Sequence, residues 1–305
     1  MSAPLYPPTA ALEADRLPTR FGLRFWDMTD DEPVEGGLRV TATIPNQTWP
    51  MTEASVTRQG LYAFLGLPGL LAQDPLPVRA SPPAASTLFI EIVDTEARFL
   101  PAGFHLDPSR GLPGFLRFPT SPATGIGAVQ SPPTSPPRAR QDVFFLFSAP
   151  QRRRRSPWVR VHGELVTEAG APCPHAIVRV WVAGFGRYYG MSDEGGRFCV
   201  LMPYPPFRPG VVGSPPFSAR TPPEQQTWEV RIAVRYQPGA VFVSRNRVPD
   251  VADAWAQGDA FIIEDLVSPA GPAVSELRTT LESGRDLAVT TQSIPTLVIR
   301  PGSPP

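Results

Sequence analysis

The chain has 305 residues, room for two ordinary domains, and 42% of them are hydrophobic, enough for packed cores. Lys+Arg and Asp+Glu number 28 each and cancel, which removes the electrostatic reason to expect nucleic acid or an anionic membrane as the main partner. Every cation is arginine, and the absence of lysine excludes Schiff-base chemistry, a phosphate-loop lysine and a lysine general base.

Proline, at 41 residues, stands well above its usual share of about 5% and argues against a helical protein, because it removes a backbone donor and fixes φ. No apolar run is long enough to cross a membrane as a helix, and Met1 to Pro8 has neither the charged start nor the apolar stretch of a signal peptide. Cys173 and Cys199 are the only cysteines, too few for a disulfide framework, which fits synthesis in a reducing cytoplasm with release inside a particle left open.

Residues 1–20 are polar and dotted with proline and read as an arm. Leu23 and Phe25, then Leu38, Val40, Ala42 and Ile44, alternate with polar neighbours at the period of a half-buried strand. The acidic stretch Asp27–Gly37 between them reads as a turn. Further strands are expected at Leu61–Leu65, Leu88–Val93, Phe99–Leu106 and Val143–Ser148, with a Pro/Ser/Thr-rich loop over 119–140. The run Arg152-Arg153-Arg154-Arg155 marks the boundary between a first module, 21–150, and a second, 151–305. In the second, Val159–Val166, Ala176–Val182, Arg197–Met202 and Trp228–Tyr236 read as strands, and Thr279–Leu281 and Leu297–Ile299 as the last ones. A Pro-rich loop spans 203–223, and Val251–Gln257 offers a turn or two of helix.

The halves repeat one order of features. In each, a strand, a Pro-containing turn and a second strand lead to a glycine placed before an aromatic: Gly60-Leu61-Tyr62 in the first, Gly196-Arg197-Phe198 in the second. The glycine permits a tight turn and the aromatic fills the space between two sheets. The segments Val161–Val166, Gly170–Val178 and Ser192–Phe198 resemble the carboxypeptidase regulatory-like family, clearest over 159–236 with a fainter echo in 22–93. That resemblance implies an all-β chain of two tandem transthyretin-like (prealbumin-like, Ig-like) β-sandwiches with Pro-rich loops and arms. Such modules serve adhesion, spacing or subunit contact more often than chemistry.

Enzyme readings find little. Val180-Trp181-Val182 and Gly186-Arg187-Tyr188-Tyr189 resemble part of the intradiol dioxygenases, whose ferric iron needs two tyrosines and a downstream histidine pair. The histidines here, His105, His162 and His175, supply no such pair. His162, His175, Cys173 and Cys199 match no compact zinc spacing, so a packed thiol and a surface imidazole are expected instead. Tyr188 and Tyr189 read as a strand with one ring packed and one exposed. Serines lie beside proline with no nucleophile elbow, and Gly125-Ile126-Gly127 lacks the strand and helix of a dinucleotide site. Asp27, Asp30, Asp31 and Glu32 could ligate calcium but read more simply as solvated turn acids.

The expectation is therefore a non-catalytic protein without metal or cofactor. It would be a scaffold or adaptor bound to other protein subunits of an assembly, such as the baseplate, collar or cap of a phage-tail-like contractile injection particle, with Arg152, Arg153, Arg154 and Arg155 as a possible partner contact or else a solvated linker. The alternative is a ligand- or surface-binding adhesion module with Trp49, Trp158 or Trp255 as its platform.

Overall fold

The computed structural model describes residues 21–30, 32–43, 52–64, 88–106, 144–154, 157–183, 185–205, 226–265, 273–292 and 294–302. The N-terminal arm, the loop 119–140, most of the loop 203–223, Asp31, Ile44, Trp49, Leu65, Gly125–Gly127, Val143 and Arg155 lie outside the described residues.

The chain is all-β. The first half contains β1 (Phe21–Leu23), β2 (Phe25–Asp27), β3 (Glu32–Pro33), β4 (Leu38–Thr43), β5 (Thr52–Glu53), β6 (Ser55–Val56), β7 (Tyr62–Phe64), β8 (Leu88–Asp94), β9 (Ala102–Leu106) and β10 (Phe144–Leu146). The second contains β11 (Trp158–Thr167), β12 (Ile177–Val182), β13 (Gly186–Met191), β14 (Arg197–Pro203), β15 (Thr227–Arg235), helix α1 (Val251–Ala256), β16 (Asp259–Ile263), β17 (Ala273–Val274), β18 (Leu277–Glu282), β19 (Leu287–Val289) and β20 (Leu297–Arg300).

The two halves share part of their strand pairing, although among the described residues the first forms three separate sheets and the second one connected ten-stranded sheet. In one layer, β7 runs antiparallel to β1 while β10 lies parallel to β2; correspondingly, β14 is antiparallel to β11 while β19 and β20 are parallel to it. In the facing layer, β4 sits between β5 and β8 with β9 beyond, as β12 sits between β13 and β15 with β16 and β18 beyond. The layers also join at a corner. Pairing of β16 with β20 does this in the second half, and the bonds Leu100 N–H to Phe147 O and Ala149 N–H to Arg98 O do it in the first.

Alternation explains the cores. Val178, Val180, Val182, Val230, Ile232 and Val234 point inward from one layer and meet Val159, Val161, Phe198, Val200 and Met202 from the other. In the first half Phe25, Tyr62, Phe64 and Phe144 face Val40, Ile90, Ile92 and Phe104, with Phe25 and Tyr62 edge to face at 5.1 Å. The two glycines singled out by the repeat both sit in the left-handed region, Gly60 at φ 68° and Gly196 at φ 81°.

Several strands depart from expectation. The stretch Asp27–Gly37 is not simply a turn, since Asp27 ends β2 and Glu32–Pro33 pairs back onto it. Phe99 forms only a bridge, to Ser148, before β9 starts at Ala102. The strand read at Tyr188–Tyr189 is β13, while β5, β6, β16, β17 and β19 add to the expected set. The short helix is present, capped by Asp250, whose Oδ1 accepts from Ala252 N at 2.7 Å.

Candidate functional site

The residues singled out for chemistry are distributed over a junction between the two cores and the outer faces of the second sandwich. The junction is built largely by the segment after β15. It crosses to the first half, where Phe242 packs edge to face on Phe89 at 5.2 Å and lies 5.0 Å from the His105 ring. His105 Nδ1 lies 2.5 Å from Asp250 Oδ2, so one carboxylate both caps α1 and grips β9. Asn246 donates to Glu91 Oε2 at 2.7 Å, and Gly103 N–H donates to Pro249 O at 2.8 Å. Apolar packing continues beneath: Ile177, Tyr189, Met191, Val251 and Ala254 belong to the first half's core although they lie in the second half's sequence. Trp255, offered by the sequence as an exposed platform, is instead wedged between Phe147 and Tyr189.

The arginine run divides between the halves. The Arg152 guanidinium forks onto both Asp27 oxygens at 3.0 and 2.5 Å, reaches Asp30 at 3.1 Å and donates to Ser148 Oγ. Both Arg152 and Asp27 side chains are only 10% exposed. Arg154 instead bonds Asp286 in the second sandwich at 2.7 Å, while Arg153 is exposed. Arg152 and Arg154 are therefore staples between this segment and each sandwich, and the solvated-linker reading does not hold for Arg152. The same fork corrects the reading of Asp27 as a solvated acid: it is buried, and its oxygens are occupied by a guanidinium rather than arranged around a cation site.

The histidines and cysteines do not converge. Among the described residues no three His, Cys, Asp or Glu side chains form a group able to hold a metal ion. His105 belongs to the junction, His162 lies opposite Cys199 across β11 and β14, and Cys173 is in the second core. His175, expected at the surface, is 8% exposed at φ 57° in the turn before β12, where Gln257 donates to its carbonyl at 2.8 Å. Burial lowers both His162 and His175 below the ordinary 6.5, with nearby Arg160 adding to the effect at His162 and Glu194 and Asp193 opposing it at His175. The unfolded chain then takes up these protons first. Stability is full above pH 6.5 and declines as pH falls from there toward the folded-state values. Thermal melts between about pH 7.5 and 5.5 should show this decline, and it should be smaller in a His162→Gln, His175→Gln double variant.

Burial pushes the Cys173 thiol up to about 12 and Cys199 up to about 11. Thiolate is the reactive form. A thiol reagent at about pH 8 should therefore leave both cysteines unmodified in the native chain and titrate both in urea; rapid native labelling would contradict the buried placement. Both tyrosines at the dioxygenase-like stretch are covered, Tyr188 against the second core and Tyr189 under Trp255, and desolvation pushes Tyr188 up to about 12. The expectation of one exposed ring is corrected: a strand with Tyr189 turned toward the junction needs a second cover, which α1 supplies.

The outer face of the β13–β12–β15–β18 layer carries the feature that sequence reasoning missed. Trp181 is in register with Arg187 on one side and Arg231 on the other, and Arg231 with Arg278. The Arg231 guanidinium lies 4.4 Å from the Trp181 ring centre and donates to Glu229 at 2.8 Å. The signal that could have found it is the strand phase: Arg179, Trp181 and Arg231 occupy the outward positions of strands whose inward positions are valine and isoleucine.

No protein-family profile matches the chain, and no curated protein matches it. Among solved structures, a streptococcal ancillary pilin is similar at 10% identity and a TM-score of 0.20, covering 94% of this chain and 64% of the pilin. A C-terminal fragment of the pilus adhesin SpaC from Lactobacillus rhamnosus GG is similar at 10% identity and a TM-score of 0.20, covering 92% of this chain and 95% of the fragment. This chain thus spans less than two thirds of the pilin's length, and likeness at this level carries no assignment. No helix among the described residues is long and apolar enough to cross a membrane.

Proposed function

We propose that this chain is a non-catalytic contact protein, in which two docked β-sandwiches of the carboxypeptidase regulatory-like kind present a surface to a ligand or neighbouring structure. The shared part of the strand pairing and the left-handed glycine before an aromatic in each half support the family resemblance. The observation that carries the function is the use of the titratable groups. His105, Asp27 and Arg152 are engaged in holding the halves and their connecting segment together, and the thiols are buried and held protonated. Those groups serve cohesion, which leaves surface contact as the reading.

Of the contact readings, ligand or surface binding is preferred to scaffolding, because the open sheet face carries an ordered cation–aromatic row. Placement in a phage-tail-like particle draws on no feature of the fold or of the comparisons and is not adopted. Light scattering and native mass measurement on the chain isolated from its own cells test the proposal. A monomer that binds surfaces supports it, a stable megadalton complex favours the scaffold reading with other protein subunits, and metal-dependent turnover would overturn both.

A further inference from the structure

The outer face of the β13–β12–β15–β18 layer is covered at one end and open at the other. At the covered end, Ile177, Tyr189 and Met191 lie against the first core, and a hollow of about 20 Å³ remains in the angle where Trp255 meets Arg179 and Arg235. At the open end, register lines up Arg187, Trp181, Arg231 and Arg278 across adjacent strands. Arg231 stands directly opposite Arg278, and Glu229 is the acid whose charge both arginines feel.

The row is also ordered. Arg231 is held between the Trp181 ring and Glu229, with 30% of its side chain exposed, and Arg278 is exposed. Arg179, beside the row, lies 3.8 Å from Glu276. Arg235, at the hollow, is engaged twice, through Nε with Asp259 and through Nη1 with the Trp255 carbonyl at 3.0 Å. Glu229 engages Arg231 through Nε, and the two terminal nitrogens of that guanidinium form a planar fork suited to carboxylate or sulfate groups.

We infer that this face binds an acidic polysaccharide, one whose sugars carry carboxylate or sulfate groups. The inference rests on the surface-binding reading above and supplies its ligand class. Two observations favour it. The row repeats at the strand spacing of about 4.8 Å, close to the advance of one sugar ring, whereas same-side residues of an extended peptide repeat at roughly 6.8 Å and fall out of step. An indole among the cations offers an apolar face to sugar C–H groups as well as an anchor for Arg231.

The test uses the full-length chain against alginate, heparin, neutral dextran, polyglutamate and a duplex DNA oligonucleotide in binding titrations. Alginate or heparin should bind, dextran should not, and Trp181→Ala and Arg278→Ala should each weaken binding by about tenfold, while Arg153→Ala leaves it unchanged. Arg278 is exposed, so its variant keeps the test valid if Trp181→Ala misfolds. Equal or tighter binding of polyglutamate or DNA would overturn the polysaccharide inference while leaving a surface-binding protein. Binding indifferent to Arg278, or absent for every probe, would overturn the inference. The surface-binding reading itself falls separately, if the natively isolated chain proves to be a fixed subunit of a large complex.

Discussion

Replacing Arg152 by alanine is expected to lower the unfolding free energy by about 3–5 kcal/mol, because it strands the Asp27 carboxylate in a site where both side chains are 10% exposed. The guanidinium also lies 4.9 Å from the Phe99 ring centre and shares Ser148 with Thr29, so its removal loosens the corner where the layers of the first sandwich join. Urea denaturation reads the effect. The neighbouring Arg153→Ala should stay within about 0.5 kcal/mol, since that side chain is exposed. An Asp27→Asn, Arg152→Met double variant should recover part of the loss by leaving no unpaired buried charge. Equal effects at Arg152 and Arg153 would contradict the staple.

Gly196→Ala is expected to cost roughly 2–5 kcal/mol. The residue sits at φ 81°, and a Cβ there would collide with the Leu165 carbonyl oxygen and stand 3.2 Å from Cys173 N. Neither neighbour is a flexible side chain; both are backbone, and Leu165 accepts the Cys173 N–H while donating its own N–H to Gly196 O. Gly170 is the internal control. It has nearly the same dihedral, φ 78°, but open space around the added carbon. Its alanine variant should therefore show only the left-handed penalty, about 1–2 kcal/mol. The difference between the two melts isolates the collision; identical losses would mean that the turn after Asp193 relaxes.

The sandwich cores were legible because alternation of valine and isoleucine in β11, β12 and β15 reports a face directly. The left-handed glycines were legible for a similar reason, since a glycine before an aromatic has a single steric meaning in this turn. Of β13 only the Tyr188–Tyr189 pair was legible, because at Gly190 a Cβ would stand 2.7 Å from Val200 and 3.1 Å from the Cys199 carbonyl, so close approach to β14 replaces the side chain that would have extended the alternation. The junction left no local trace at all. His105 meets Asp250 across 145 positions and Asn246 meets Glu91 across 155, and each of these residues taken alone looks like an ordinary surface polar group. The same blindness turned Asp27 into a solvated acid and His175 into a surface imidazole, since polarity predicts exposure only when no partner is folded onto the group. The cation–aromatic row was hidden because register, which is tertiary, sets Trp181 beside Arg231.

The way Ile177, Tyr189, Met191 and Trp255 shelter under the other half has a practical corollary. Severing the chain near the 150–157 segment would leave the C-terminal fragment with a raw oily scar and an α1 cap stripped of its imidazole. Such a fragment should clump or melt early, and the pair should unfold in one concerted step rather than as two beads on a string.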